Sequence, residues 1–322
     1  MPSYMSCWES EYLWEANAAF YGNEDNYIIY PFFKKENRLP FIDIENTFDI
    51  ISPEYYCGIL NKSANKKMKD FLDVFHSWCI ENNIITEFSK LHPFIPSLLP
   101  TIKLYNIVWL NLTNKLNFEK RCRNAITRAK KENIEVYCSD KKSDLKDFHL
   151  LYTKTMKRLN ASEKYFNPKQ LFNNFISMMK NNSMLYVAKH DNKMIAAALF
   201  FHGYGFFHYF RACSDNDYLW MNPNNLVLSE AIDWAKNNGY KTFILGGGNP
   251  GQSHDMNDSL FKFKASFSKK TMPVFGYTKI HNDKLYKIFC EKKANYSAIN
   301  NLTNNNKYFP EYQLKHFPDY RI

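Results

Sequence analysis

The stretch FILGGGNPGQ, residues 243–252, holds four of the ten glycines of the chain: Gly246, Gly247, Gly248 and Gly251. His254, Asp255, Lys262 and Lys264 follow closely. A glycine-rich turn at a strand end can hold a phosphate on backbone N–H groups, or let the backbone pass close to a ligand. A P-loop ends in Gly-Lys-Ser/Thr, which GQSHD lacks, so the phosphate-cradle reading is set aside. Two readings remain: a backbone that leaves its strand at unusual angles as one wall of a cleft, and a tight turn with no further role.

Elsewhere the chain offers groups that can take a proton near neutral pH. His92 lies in LHPF at the end of an expected strand, and His208 lies within the strand GFFHYFRA. Glu87 alternates with Phe88 and is expected to face the side of His92. Tyr209 and Arg211 follow His208, and the planar fork of Arg211 suits a phosphate or a carboxylate. Lys262 and Lys264 are either a solvated helix face or contacts to an anionic substrate. Arg121, Arg123, Arg128, Lys130 and Lys131 put five cations on one helix, again a solvated face or a track for phosphates. No His, Cys and Asp cluster has metal-ligand spacing, so metal chemistry is not expected.

These groups must be positioned by a sizeable folded chain. The 322 residues are 45% apolar and 17% aromatic, enough for two domains with real cores. The net charge of +10 points to an anionic partner. The seven cysteines form no C-x-x-C pair and read as buried thiols of a reducing compartment. The first twenty residues lack the pattern of a signal peptide, and the longest apolar run, MIAAALFF (194–201), is too short to span a bilayer. A cytoplasmic protein, at most peripheral to the inner membrane face, is expected.

Hydrophobic periodicity supplies the elements. Strands are expected at 26–33, 84–91, 104–112 and 134–138, with an extended region at 41–51. Helices are expected at 63–83 and, very basic, at 117–133. In the second half, helices at 144–160 and 168–181 precede three strands over 183–214, joined by the turns HDNK and HGYG. A helix over 222–239 has Asn222 or Asn224 to cap its start and Gly239 to end it. A strand (241–245), a short helix (258–267) and a strand (271–280) close the pattern, and the residues from about 295 read as a polar tail. Such an order is α/β around a mixed sheet.

The segments NPNNLVLSEAIDWAKNNGYKTFILGGGNP and DSLFKFKASFSKKTMPVFGYTKI resemble the C-terminal half of FemAB-like acyltransferases, the peptidoglycan bridge-forming branch of the GNAT superfamily. The matching positions are Gly239, Tyr240, Leu245, Gly246, Gly247, Leu260, Phe263, Lys264 and Phe267. RNAITRAKKENIEV, ISPEYYCGIL and IITEFSKLHPF resemble further motifs of the family, so the resemblance spans residues 25–280.

The resemblance implies tandem GNAT-like domains, each a mixed, mostly antiparallel sheet flanked by helices. They are expected as a degenerate domain over 1–140 and an acyltransferase domain over 141–295, followed by the tail 296–322. It implies N-acyl transfer to an amino group on a sugar or peptide precursor of a cell-envelope glycan. The donor is acyl-CoA such as acetyl-CoA, slightly favoured, or aminoacyl-tRNA. An anionic small molecule or a lipid-linked sugar is the expected substrate, with tRNA as a further partner and no stable membrane insertion. His92, His208 and Asp255 are the candidate bases. Glu87, Tyr209, Arg211, Asn225, Gly246, Gly247, Gly248, Lys262 and Lys264 are the candidate substrate contacts. The family's glycine-containing pyrophosphate loop is replaced here by SDNDYLWMNPNN, and the helical arm of the bridge-forming enzymes is missing. A non-catalytic module that binds an anionic ligand is the rival from another class.

Overall fold

A computed structural model describes residues 5, 14–52, 56–62, 65–97, 99–161, 165–166, 169–178, 181–249, 253–302 and 309–314. Gly251, the ends 63–64, 168 and 179–180 of two expected helices, and part of the motif ISPEYYCGIL lie outside these residues. Two compact units emerge, Met1–Tyr105 with Pro273–Ile322, and Asn106–Met272. The division is discontinuous, and the boundary expected at 140 falls inside the second unit.

The first unit is a sheet with strand order β1-β2-β3-β5-β12 (Glu15–Gly22, Tyr27–Glu36, Phe48–Ile51, Ile84–Lys90, Thr271–Ile280), with β4 (Leu60–Asn61) on β2. All pairs are antiparallel except β3 with β5. Helix α1 (Asn65–Glu81) buries Met68, Phe71, Phe75 and Cys79, one face at helical spacing, against Ile28, Tyr30 and Phe32.

Two carboxylates lie inside this unit, and both are hydrogen-bonded, as burial demands. Asp49 accepts from Thr86 Oγ1 at 2.7 Å, from Gln313 Nε2 at 3.1 Å and from the Tyr312 hydroxyl. Glu87 accepts from the Tyr30 hydroxyl at 2.6 Å and lies 3.0 Å from His281 Nε2. His281 Nδ1 lies 2.8 Å from Nδ1 of His76 on α1.

The segment expected as a polar tail, 296–322, contains the end of a helix and buried residues. Residues Asp283–Ile299 form a helix, the last among the described residues, and Tyr312 is fully buried. The Asn-rich composition of the tail hid a few residues whose partners lie far back in the chain.

The second unit has strand order β6-β11-β10-β9-β8-β7 (Ile102–Asn111, Thr242–Gly246, Phe206–Ser214, Lys193–Gly203, Ser183–His190, Glu135–Ser139). Only β10 with β11 is parallel. On one face α2 (Lys120–Lys131) and the helix Pro223–Asn237 cover a core that includes Ala196, Ala198, Phe200, Phe207 and Phe243. On the other, α3 (Lys142–Arg158) and α4 (Lys169–Met178) pack aromatics, with Phe175 against Phe201 and Phe210 at 5.2 and 5.4 Å. Strand β9 is thus buried on both sides, which explains its unbroken apolar run. The helix Pro223–Asn237 is α5, Ser259–Ala265 is α6 and Asp283–Ile299 is α7. Among the described residues no helix is long and apolar enough to cross a membrane.

The His76–His281 contact yields a prediction. At 2.8 Å two ring nitrogens must share one proton, so both rings cannot be cationic with the contact intact. The His76 imidazole is held below its ordinary 6.5, chiefly by burial, then by His281 and Lys279, with Asp73 and Glu87 opposing. The folded protein keeps His76 neutral where the unfolded chain is protonated. Its contribution to stability is complete above about pH 6.5 and is lost as the pH falls through the folded-state value. Melting temperatures from pH 8 to 5 should fall more steeply for the natural chain than for His76→Gln, and parallel curves would refute the coupling.

Candidate functional site

Strands β10 and β11 run together for three rungs only: Phe206 with Thr242, Phe207 with Phe243, and His208 with Ile244. Beyond His208 no further rung joins them among the described residues. β10 shifts register against β9 between Tyr209 and Arg211, and β11 shifts against β6 between Ile244 and Gly246. Such bulges re-aim side chains at strand ends. His208 therefore sits on the last rung, and Tyr209 and Arg211 stand where the strands part.

Into this region comes Lys264 from α6. Residues 262 and 264 are two apart, about 200° around a helix, so one faces out when the other faces in. Lys262 is exposed and Lys264 is buried. The Lys264 Nζ donates to the Gly247 carbonyl at 2.6 Å and lies 5.6 Å from the centre of the Tyr209 ring. Burial lowers its pKa to about 7, helped by nearby Arg211 and opposed by Asp258. The Arg211 guanidinium stacks 4.3 Å from the Phe210 ring centre and 5.4 Å from that of Tyr165.

The glycines have distinct reasons. Gly246 has φ +84°, and a Cβ there would sit 3.4 Å from Lys264 Nζ. At Gly248 a Cβ would fall 2.0 Å from Asp258 Oδ2. The space beside Gly248 is thus filled by the chain's own carboxylate. Asp258 is fully buried and accepts from Leu260 N and Phe261 N as the cap of α6, and from Asn249 N and Nδ2 at 2.5 and 2.9 Å. Gly248 N donates to His254 Nδ1 at 2.8 Å.

The other expected site residues fall as follows. Asp255 accepts from Ser253 Oγ and Asn257 N at 2.7 and 2.8 Å, bonds that lower its pKa and shape the turn. Asn225, buried on α5, donates to Cys122 Sγ at 3.8 Å. Glu87 and His92 belong to the first unit. Glu87 is bonded to Tyr30 and His281; His92 Nδ1 accepts from Phe94 N at 3.3 Å, and its ring packs on Tyr56. Burial pushes the His92 imidazole down to about 4.

Asp258 was not among the expected site residues. Its signal was present, an Asp just ahead of the apolar spacing Leu260, Phe263, Phe267, which marks a helix N-cap. SDNDYLWMNPNN contains no glycine, yet the chain turns sharply: a 3-10 helix Asn216–Met221 ends at Asn222, which takes φ 59°, and Pro223 opens α5.

Residues 117–254 match the family described as an acetyltransferase (GNAT) domain. This segment is a GNAT acyltransferase domain. Among solved structures, the chain is similar to FemX, with TM-score 0.67 and 15% identity over 88% of this chain and 93% of that one. L-PGS from Bacillus licheniformis gives TM-score 0.51 and 13% identity over 89% and 93%. The C-terminal domain of a putative lysylphosphatidylglycerol synthetase from Agrobacterium fabrum gives 0.53 and 15% over 88% of both. No curated protein matches the chain in sequence. The tandem GNAT-like α/β fold expected from the sequence is the one observed.

The contact at Gly248 can be tested directly. Gly248→Ala forces its Cβ onto the Asp258 carboxylate and should destabilise the protein by about 1–3 kcal/mol, as overpacking does. Urea unfolding of the purified variant measures this, and an unchanged midpoint would show that the loop relaxes freely.

Proposed function

We propose that the GNAT domain is an N-acyltransferase in which Lys264 takes the proton of the attacking amine. The observation that carries this reading is the buried Lys264 amine, with a pKa lowered to about 7, on the Gly247 carbonyl where β10 and β11 part. A group poised near the working pH is the most effective proton acceptor. The amine attacks the acyl carbonyl and its proton moves to Nζ. The bond from the carbonyl carbon to the carrier breaks, and Lys264 returns the proton to the departing thiolate or alkoxide. Positioning by Tyr209 and Arg211 and polarisation by backbone N–H groups beyond His208 supply the rest.

The acceptor is an amino group on a sugar or peptide precursor of a cell-envelope glycan, carrying anionic groups that suit Arg211. An acyl-CoA donor is supported by the turn at Asn222 and Pro223, which opens α5 after β10 and the short 3-10 helix that follows it, the place for a pyrophosphate. An aminoacyl-tRNA donor is the second reading, favoured by the likeness to a protein named as a lysylphosphatidylglycerol synthetase and by the cations of α2. Supplying acetyl-CoA and a charged tRNA separately, with one amino-sugar acceptor, distinguishes them by which labelled acyl group is transferred.

If Lys264 is the base, turnover should rise as the pH passes through about 7. Lys264→Met should cost roughly 10²-fold and abolish that rise, while Lys262→Ala on the solvent face costs about threefold at most. A rate that instead falls through the same pH range would make Lys264 a cation that stabilises the oxyanion, and would sink the base assignment.

A further inference from the structure

A second concentration of charge lies at the other end of β11 from Lys264. On β6, Leu110 and Asn111 pair with Phe243 and Thr242 at the start of β11, whereas Lys264 reaches Gly247 just past its end. A groove of about 710 Å³ opens beside Leu110 and Asn111, and Lys115, Lys120, Arg121, Arg123, Lys269 and Lys270 line it. Its lining contains a single carboxylate, that of Glu119, which is already ion-paired with Arg121 Nε at 2.9 Å.

The cations divide into two kinds. Both guanidinium groups are held in place, Arg121 by the Lys262 carbonyl at 2.6 Å and Arg123 by the Phe118 carbonyl. The four lysines are exposed, and among the described residues none has a carboxylate partner. Lys270 lies over the Trp109 ring, 5.1 Å from its centre. Phe118 stacks edge-on against buried Phe267 at 5.3 Å and gives the groove an apolar floor. The N terminus of α2, without a side-chain cap, adds to the same positive field.

We infer that this groove is a binding site for a small ligand carrying a diphosphate. Six cations lining one open groove, against a single carboxylate, hold a positive potential that a multiply charged anion relieves. The volume lies in the range of small-molecule sites, about 300–1,000 Å³. Fixed guanidinium groups suit phosphate oxygens geometrically, and the exposed lysines add point charges. This inference is independent of the acyl-transfer reading, because the six cations lie at the opposite end of β11 from the Lys264 amine. The diphosphate could be free pyrophosphate or part of a nucleotide, and the two are separable.

Calorimetric titration of the full chain with inorganic pyrophosphate and with ADP tests the inference. Binding of pyrophosphate is expected, with an affinity that falls as salt rises. The triple variant Lys120→Ala, Lys269→Ala, Lys270→Ala should bind roughly tenfold more weakly or worse, while the corresponding triple change to Arg stays within about threefold. Lys146→Ala, on α3, should match the natural chain. Equal affinities for the two probes assign the site to the diphosphate alone, and tighter ADP assigns it to a nucleotide. If melting shows the alanine variant to be unfolded, Lys269→Glu replaces it. Unchanged binding in the folded variant overturns the proposal, as does binding of an RNA oligonucleotide with neither small probe bound.

Discussion

The carboxylate of Asp258 is the constraint on which the arrangement around Lys264 depends. It is fully buried, where a lone charge would be expensive, and backbone N–H groups from Asn249, Leu260 and Phe261 offset that cost. One group thus caps α6 and ties down the glycine loop together. Gly248 is glycine because the carboxylate occupies the place of its side chain. With both the loop and the helix start anchored to the same atoms, Lys264 and the Gly247 carbonyl are held at a fixed separation. The lysine charge is then governed by burial, with Asp258 and Arg211 pulling in opposite directions.

The interiors of both units combine apolar packing with buried, hydrogen-bonded carboxylates. The second is dominated by stacked aromatics and alanines, with Phe207 and Phe243 stacked at 5.1 Å beneath the sheet rung that leads to His208. Each unit also buries two carboxylates: Asp49 and Glu87 in the first, satisfied by hydroxyl, amide or imidazole groups, and Asp144 and Asp258 in the second, Asp144 held by Ser139 Oγ and Lys189 Nζ at 2.6 and 2.8 Å. Apolar packing stiffens each sheet, while the hydrogen-bonded polar groups specify partners more narrowly than apolar contacts do.

Much of this was legible in the residues. The element order of the second unit follows from periodicity, and the basic helix, the three-strand run and the short helix after the glycines all appear near their expected places. The marks that end α5, an asparagine before it and Gly239 after it, are local and so could be read. What could not be read depends on distance along the chain or on a rotation within one helix turn. Lys262 and Lys264 look alike in sequence, and only the orientation of α6 sends one to solvent and the other to Gly247. Glu87 looked like a partner for His92 because the two are near in sequence, but its partner His281 lies 194 residues away. Strand β1 and helix α7 have weak alternation and mixed polarity, and they are recruited by packing. Tyr312 sits in an asparagine-rich context that conceals it.

The discontinuous first unit has a consequence for biosynthesis. The middle of the chain, Asn106–Met272, is contiguous and can complete its sheet once those residues leave the ribosome. The first 105 residues cannot. Strand β5 waits for β12, Glu87 waits for His281, and Asp49 waits for Tyr312, which is 263 residues further on. Until translation reaches the C-terminal segment, two carboxylates and an open sheet edge stand without their partners. Residues 14–105 therefore precede the middle segment in synthesis but follow it in completion, and a nascent chain halted before residue 273 would carry an assembled Asn106–Met272 unit with the residues before it unsealed.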